Sequence, residues 1–176
     1  MRIIAGQLGG RNFSAPSGHR THPMSEKACG ALFNALGDIN GLTVLDAFAG
    51  SGALGFEAVS RGALSVCEIE IDKIAQRTIL DNIKSLGISS KVKLICASVG
   101  AWMRTNPNAV FDIVICDPPY DNLQQLLLGG LVNHLKPNGV YILSWPGKEL
   151  APQFGSLKIV NQRSYGDIQL VFYRKD

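Results

Sequence analysis

The sequence predicts a doubly wound α/β fold, and three patterns point to it. From residue 43 onward, short apolar segments alternate with segments of helical periodicity. The first five apolar segments are hydrophobic on both faces, as strands of a parallel sheet covered on both sides must be. The last two are separated only by Gly166-Asp167, too short a link for a crossover helix. They should therefore pair as an antiparallel hairpin at the end of the sheet.

Taken in order, the predicted strands are residues 43–47, 65–69, 92–96, 113–116, 140–144, 158–165 and 168–173. The predicted helices between them are 53–61, 73–86, 99–104 and 123–135. Ahead of the sheet, residues 2–5 and 12–15 flank Gly9-Gly10, the signature of a small N-terminal hairpin. A polar loop follows over 16–24. Ser25 then caps a helix to about residue 36, with Ala28, Ala31, Leu32 and Ala35 at helical spacing. One domain over 1–176 accommodates all of this, with 1–24 as an extension on a core of 25–176.

Composition narrows the classes further. Of the 176 residues, 46% are hydrophobic and 18% charged, which excludes a disordered chain. The net charge of +3 permits a nucleic-acid partner without demanding one. The charge is unevenly spread: Arg2, Arg11, Arg20 and Lys27 precede residue 28, with Glu26 as the only acid among them. These four are the candidate RNA contacts. Cys29, Cys67, Cys96 and Cys116 lie far apart, so no C-x-x-C metal or redox spacing exists, and a reducing compartment is expected. No apolar run approaches the ~20 residues that span a bilayer. The expectation is a soluble, cytoplasmic, monomeric protein with no membrane partner and no metal.

An open α/β sheet binds ligands beyond the carboxyl ends of its strands, so those ends carry the chemistry. The first ends in Asp46-Ala47-Phe48-Ala49-Gly50-Ser51-Gly52-Ala53-Leu54-Gly55. Gly50 and Gly52 allow a tight turn and close backbone approach to a ligand. The string also fits the dinucleotide pattern G-x-G-x-x-G, and a glycine turn serving only strand-to-helix packing would look the same. Asp46 separates the ligands: a carboxylate there repels a phosphate but attracts an ammonium group. S-adenosylmethionine carries an ammonium and no phosphate. A loop-stabilising acid is the alternative for Asp46. The second strand ends at Glu70-Ile71-Asp72, where Glu70 can accept from both ribose hydroxyls and Asp72 can cap the next helix. Glu68 lies inside that strand. After the third strand, Ser98 and Val99 either meet the adenine edge or, in the case of Ser98, cap the following helix.

The fourth strand ends in Asp117-Pro118-Pro119-Tyr120. The prolines remove two N–H donors and leave carbonyl acceptors. Asp117 adds a carboxylate, the Pro118 carbonyl a second acceptor, and Tyr120 a ring to stack on a base. Such a set suits a planar aryl amine, whose nitrogen becomes ammonium-like as a methyl arrives. The bland alternative is a Pro-Pro turn with a packed tyrosine.

These residues together resemble the RsmD family, bacterial methyltransferases of a guanine exocyclic amine in small-subunit ribosomal RNA. Met1-Arg2-Ile3-Ile4-Ala5-Gly6 with Gly10-Arg11 looks like the family's start; Pro23, Ser25 and Ala31-Leu32-Phe33-Asn34 look like its first helix. The stretch 45–63, then Glu70, Asp72, Asn82 and Asp117 to Tyr120, falls at the family's spacing. The resemblance implies a Rossmann-like, seven-stranded methyltransferase sheet, S-adenosylmethionine as cofactor, and small-subunit ribosomal RNA, either naked or in an assembling subunit, as partner. It implies transfer to guanine N2. Rival readings are a DNA adenine or protein glutamine methyltransferase and, from another class, an NAD-dependent oxidoreductase. The sequence departs from the family at His22, Glu26-Lys27, Gly30, Ser98, and at Ser144, where the family often carries Glu.

Overall fold

The computed structural model describes residues 1–17, 24–120, 125–155 and 157–175. Arg20, the Thr21-His22-Pro23 stretch and the start of the predicted 123–135 helix lie outside the described residues.

The first helix, α1, covers Glu26–Leu36; Ser25 Oγ accepts from the Ala28 N–H at 3.2 Å, the expected cap. There follow β1 (Thr43–Asp46), α2 (Ala53–Ser60), β2 (Ser65–Glu70), α3 (Lys73–Leu86), β3 (Val92–Cys96), α4 (Val99–Thr105) and β4 (Phe111–Cys116). The chain continues through α5 (Gln125–Leu131), a single 3-10 turn (Val132–His134), β5 (Leu135–Pro146), β6 (Leu157–Tyr165) and β7 (Ile168–Lys175). The predicted helix over 123–135 therefore ends early, at Leu131 and a 3-10 turn, and β5 begins earlier than expected. β5 starts early because Leu135 pairs with Phe111, ahead of a shift in register between Phe111 and Ile113.

The strands form one seven-stranded sheet in the order β3-β2-β1-β4-β5-β7-β6. The first five are parallel, and β7 runs antiparallel to both its neighbours. This is the Rossmann-like sheet with a terminal hairpin that the sequence predicts. One face carries α1, α2 and α3 over Val44, Val66, Ile113 and Ile142; the other carries α4 and α5 over Leu45, Val114 and Leu143. Each strand thus alternates between two apolar layers, and a polar residue on either face must lie at a strand end or be explained.

The N-terminal hairpin is smaller than its pattern suggests. Its ladder reduces to one bridge, Arg2 with Asn12. Around that bridge the arms still exchange Ile3 N–H to Arg11, Gly10 N–H to Ile3 and Phe13 N–H to Met1 carbonyl bonds, while residues 4, 5, 8 and 14 bond the helices. Glu57 on α2 accepts from the Ile4 and Ala5 N–H groups at 2.7 and 3.2 Å. Ser60 accepts from Leu8, and Asn82 on α3 both accepts from and donates to Ser14. Ile3 and Phe13 are buried, with the Phe13 ring edge-on to Phe56. A Cβ on Gly6 would stand 2.0 Å from the Ser60 carbonyl oxygen, so only glycine lets the arm lie so close to α2.

Candidate active site

The register explains why distant residues meet. Asp46 of β1 pairs with Glu68 of β2 on one side and Ile115 of β4 on the other. Cys116 of β4 pairs with Leu143 of β5, so the next residues, Asp117 and Ser144, are neighbours one step further up. By the pleat, Glu68, Asp46, Asp117 and Ser144 all face the α1–α3 side. They form a polar row across the carboxyl ends of four strands, at the switch between β1 and β4 where the chain order reverses.

The glycine loop is held in place by backbone bonds and by Glu70. Gly50 and Gly52 both have positive φ, 55° and 80°. A Cβ on Gly52 would meet the Phe56 ring at 2.6 Å. The Gly50 N–H donates to Glu70 Oε2 and the Asp72 N–H to Glu70 Oε1, both at 2.7 Å. Glu70 therefore ties the first strand's loop to the second strand's end. A carboxylate has about four acceptor positions, so two remain for ribose hydroxyls. Ala49, Ser51 and Gly52 are buried, and Phe48 and Gly50 half-buried. Ile71 is exposed beside this end.

Asp46 is fully buried. Its Oδ1 lies 3.4 Å from the Phe48 N–H, a long bond that gives the loop-stabilising reading some substance. Its Oδ2 has no partner among the described residues. Burial, reinforced by the charge of Asp117, pushes its carboxyl up to about 7. An unpartnered buried carboxylate beside a glycine turn fits a ligand that brings its own cation. Glu68 is the group that sequence reasoning passed over. It too is fully buried, both its oxygens lack a partner, and burial then Asp46 raise its carboxyl well above the usual range. Gly55 makes room for it: a Cβ there would lie 2.0 Å from Glu68 Oε1. The available signal was parity, since Glu68 lies on the same strand face as Glu70 and in register with Asp46.

Asp117 is partly screened from solvent. Burial raises its carboxyl to about 6, against the opposing pull of a hydrogen bond from Ser144. Pro118 is buried, and the Tyr120 ring is 38% exposed. The Tyr120 hydroxyl bonds Ser144 Oγ at 2.5 Å. Sequence reasoning assigned only the ring a role, and noted Ser144 only as a departure from the family; its place at the end of the fifth strand was the usable signal. Ser98 resolves toward its alternative reading: Oγ accepts from the Ala101 N–H at 3.2 Å and caps α4, with Val99 buried behind it.

The predicted RNA contacts divide. Arg2 pairs with Glu26 at 2.7 Å in the open. Arg11 donates to the Ser85 and Leu86 carbonyls, closing the carboxyl end of α3. Lys27 is exposed on the first turn of α1, and Arg20 is outside the described residues. Among the described residues no helix is long and apolar enough to cross a membrane.

The reversal-point location, the glycine turn, Glu70 with its open acceptor positions, the unpartnered acid and the acceptor-ring tetrapeptide suit an S-adenosylmethionine-dependent methyltransferase. A family model described as Conserved hypothetical protein 95 matches residues 1–174. The chain belongs to that family, the RsmD family. It is 36% identical over 157 residues to ribosomal RNA small subunit methyltransferase D of Haemophilus influenzae, covering 85% of this chain and 81% of that one. To the Escherichia coli protein of the same name it is 32% identical over 140 residues, 79% and 68% of the two chains. The solved structure of yhhF from Escherichia coli matches with a TM-score of 0.90 and 25% identity, over 100% of this chain and 98% of that one.

Proposed function

We propose that this chain methylates the exocyclic N2 amine of a guanine in small-subunit ribosomal RNA. The observation that carries the reading is the row in which Asp117 stands beside the unpartnered Asp46 and next to Ser144, which bonds Tyr120. One end of the row suits a cation and the other an aryl amine. The small-subunit RNA is taken from the relatives named for it.

S-adenosylmethionine, when bound, supplies a methyl group already activated on a sulfonium. Asp46 would hold its ammonium through Oδ2, and the backbone of Phe48, Ala49, Gly50, Ser51 and Gly52 would wrap its amino-acid end. Glu70 would hold the ribose. Ile71 and Val99 would flank the adenine, with Ser98 serving through the helix it caps. At the other end, the Asp117 carboxylate and the Pro118 carbonyl would accept the two amine hydrogens, and the Tyr120 ring would stack on the base. Bonding both hydrogens turns the nitrogen lone pair out of conjugation, and fixed acceptors stabilise the positive charge that grows there. Asp117, ionised above about pH 6, can then take the departing proton. The base must leave any helix to enter, so flipping or an unpaired loop is implied. Lys27 and Arg20 are the foremost candidates for phosphate contact, since Arg2 and Arg11 are already engaged. The protein would act as a monomer on an assembling subunit.

The test is transfer of labelled methyl to undermethylated small subunits, followed by nucleoside digestion and mass analysis. N2-methylguanosine is the expected product. N6-methyladenosine, or label on protein, would transfer the assignment to one of the rival amine substrates.

A further inference from the structure

We infer that Ser144 is a positioning residue of the transfer site: its hydroxyl ties the Tyr120 ring to the Asp117 carboxylate, so that stacking surface and acceptor move as one unit. The inference rests on the proposed amine-transfer reading and adds a residue to it.

The geometry begins with the sheet. Parallel pairing of Cys116 with Leu143 places Asp117 and Ser144 side by side on the same face. Ser144 is 2% exposed, so its hydroxyl must be satisfied within the protein. Its Oγ is 2.5 Å from the Tyr120 hydroxyl, and it also hydrogen-bonds the Asp117 side chain. A serine has one proton to donate, and an ionised carboxylate only accepts. With Asp117 ionised, a Ser144 that donates to it must accept from Tyr120.

The consequence is mechanical. Tyr120 follows two prolines and is 38% exposed, so little packing holds its ring. The bond at the far end of the ring supplies the missing constraint. Asp117 likewise gains a donor that fixes which oxygen faces the substrate. A displacement of either group by about an ångström is enough to slow an in-line transfer greatly. This revises the expectation that the ring alone matters: Tyr120→Phe keeps the stacking face but loses the tie.

The experiment is single-turnover methylation of undermethylated small subunits at saturating S-adenosylmethionine, with Ser144→Ala, Ser144→Thr, Tyr120→Phe and the Ala/Phe double variant. Ser144→Ala should slow transfer by about ten- to a hundredfold, with an unchanged dissociation constant for the cofactor by calorimetry. Ser144→Thr should restore most of the rate. Tyr120→Phe should be slowed similarly, and the double variant no more than the slower single one. Wild-type rate in Ser144→Ala, or fully multiplicative losses in the double variant, overturns the tie. If the wild type transfers no methyl to subunits, the proposed substrate fails instead, and the tie is read without activity. A carboxyl carbon-13 titration of Asp117 should then show its midpoint moved up in Ser144→Ala and not in Ser144→Thr. The other titrating neighbours, Asp46 and Tyr120, are present in both variants. An unmoved midpoint overturns the proposal.

Discussion

Asp46→Asn should make the ligand-free protein less sensitive to pH. Asp46 is fully buried and its carboxyl stands at about 7, against 3.8 for a free aspartate. Between those values the folded state holds a proton that the unfolded chain has lost, so folding stability falls as pH rises through the window. The contribution is fully present below about pH 4 and gone above about pH 7. At about 1.4 kcal/mol per pH unit, the two units from pH 5 to pH 7 are worth on the order of 3 kcal/mol. Glu68 and Asp117 act in the same direction and remain in the variant, so the quantity to read is the difference between two curves. Asp112 acts in the opposite direction but outside the window. Burial opposes its ionisation, yet bonds from Thr43 and Lys136 hold its carboxyl at about 2. Urea unfolding at pH 5, 6, 7 and 8 provides the measurement. The wild type should lose roughly 2–4 kcal/mol more than Asp46→Asn across the range. Calorimetry adds a second reading: wild-type affinity for S-adenosylmethionine should rise from pH 6 to 8, and the variant should bind weakly at every pH. Parallel unfolding curves would falsify the argument, for they would mean that Asp46 is ionised throughout.

Glu70→Ala should weaken S-adenosylmethionine binding by roughly 1–3 kcal/mol, because ribose acceptors are lost and the Gly50 and Asp72 N–H groups lose theirs; an unchanged dissociation constant would place the ribose elsewhere. Asp117→Ala should abolish transfer while cofactor affinity changes little, and near-normal single-turnover rates would refute its role. Glu57→Ala should destabilise the fold by about 3–5 kcal/mol, since it leaves the Ile4 and Ala5 N–H groups and a half-screened Arg61 without their shared carboxylate. Denaturant midpoints test it, and a cost below about 1 kcal/mol would mean that the arm is held by its apolar contacts alone.

What the sequence made legible follows the strength of local signals. The sheet was readable because parallel strands are apolar on both faces and end at glycine, acid or proline. Asp46, Glu70 and Asp117 stand out as candidates because each ends or directly follows such a run. Ser98 was ambiguous for a physical reason: a serine before a helix looks the same whether its oxygen caps the helix or meets a ligand. The partner of Arg11 was hidden because charge in a polar stretch carries no record of what it bonds. The two carbonyls it closes belong to a helix end more than 70 residues away. Glu57 gave the same difficulty from the other side, as an acid within an apolar helix whose partners lie in the first five residues.

Those long-range partners bear on how the N-terminal extension serves the site. Sequence treats residues 1–24 as an RNA-facing appendage, yet Ile4, Ala5, Leu8, Arg11 and Ser14 are all bonded to α2 or α3. Those two helices begin just after the glycine loop and after Glu70, so whatever fixes their positions also fixes the two halves of the candidate cofactor site. Arg61 extends the same brace to α1, bonding Asn34 and lying 5.3 Å over the Phe33 ring. The described arm is therefore a brace on α2 and α3. Lys27, at the start of the braced α1, presents its cation from an element that the arm has already set in place.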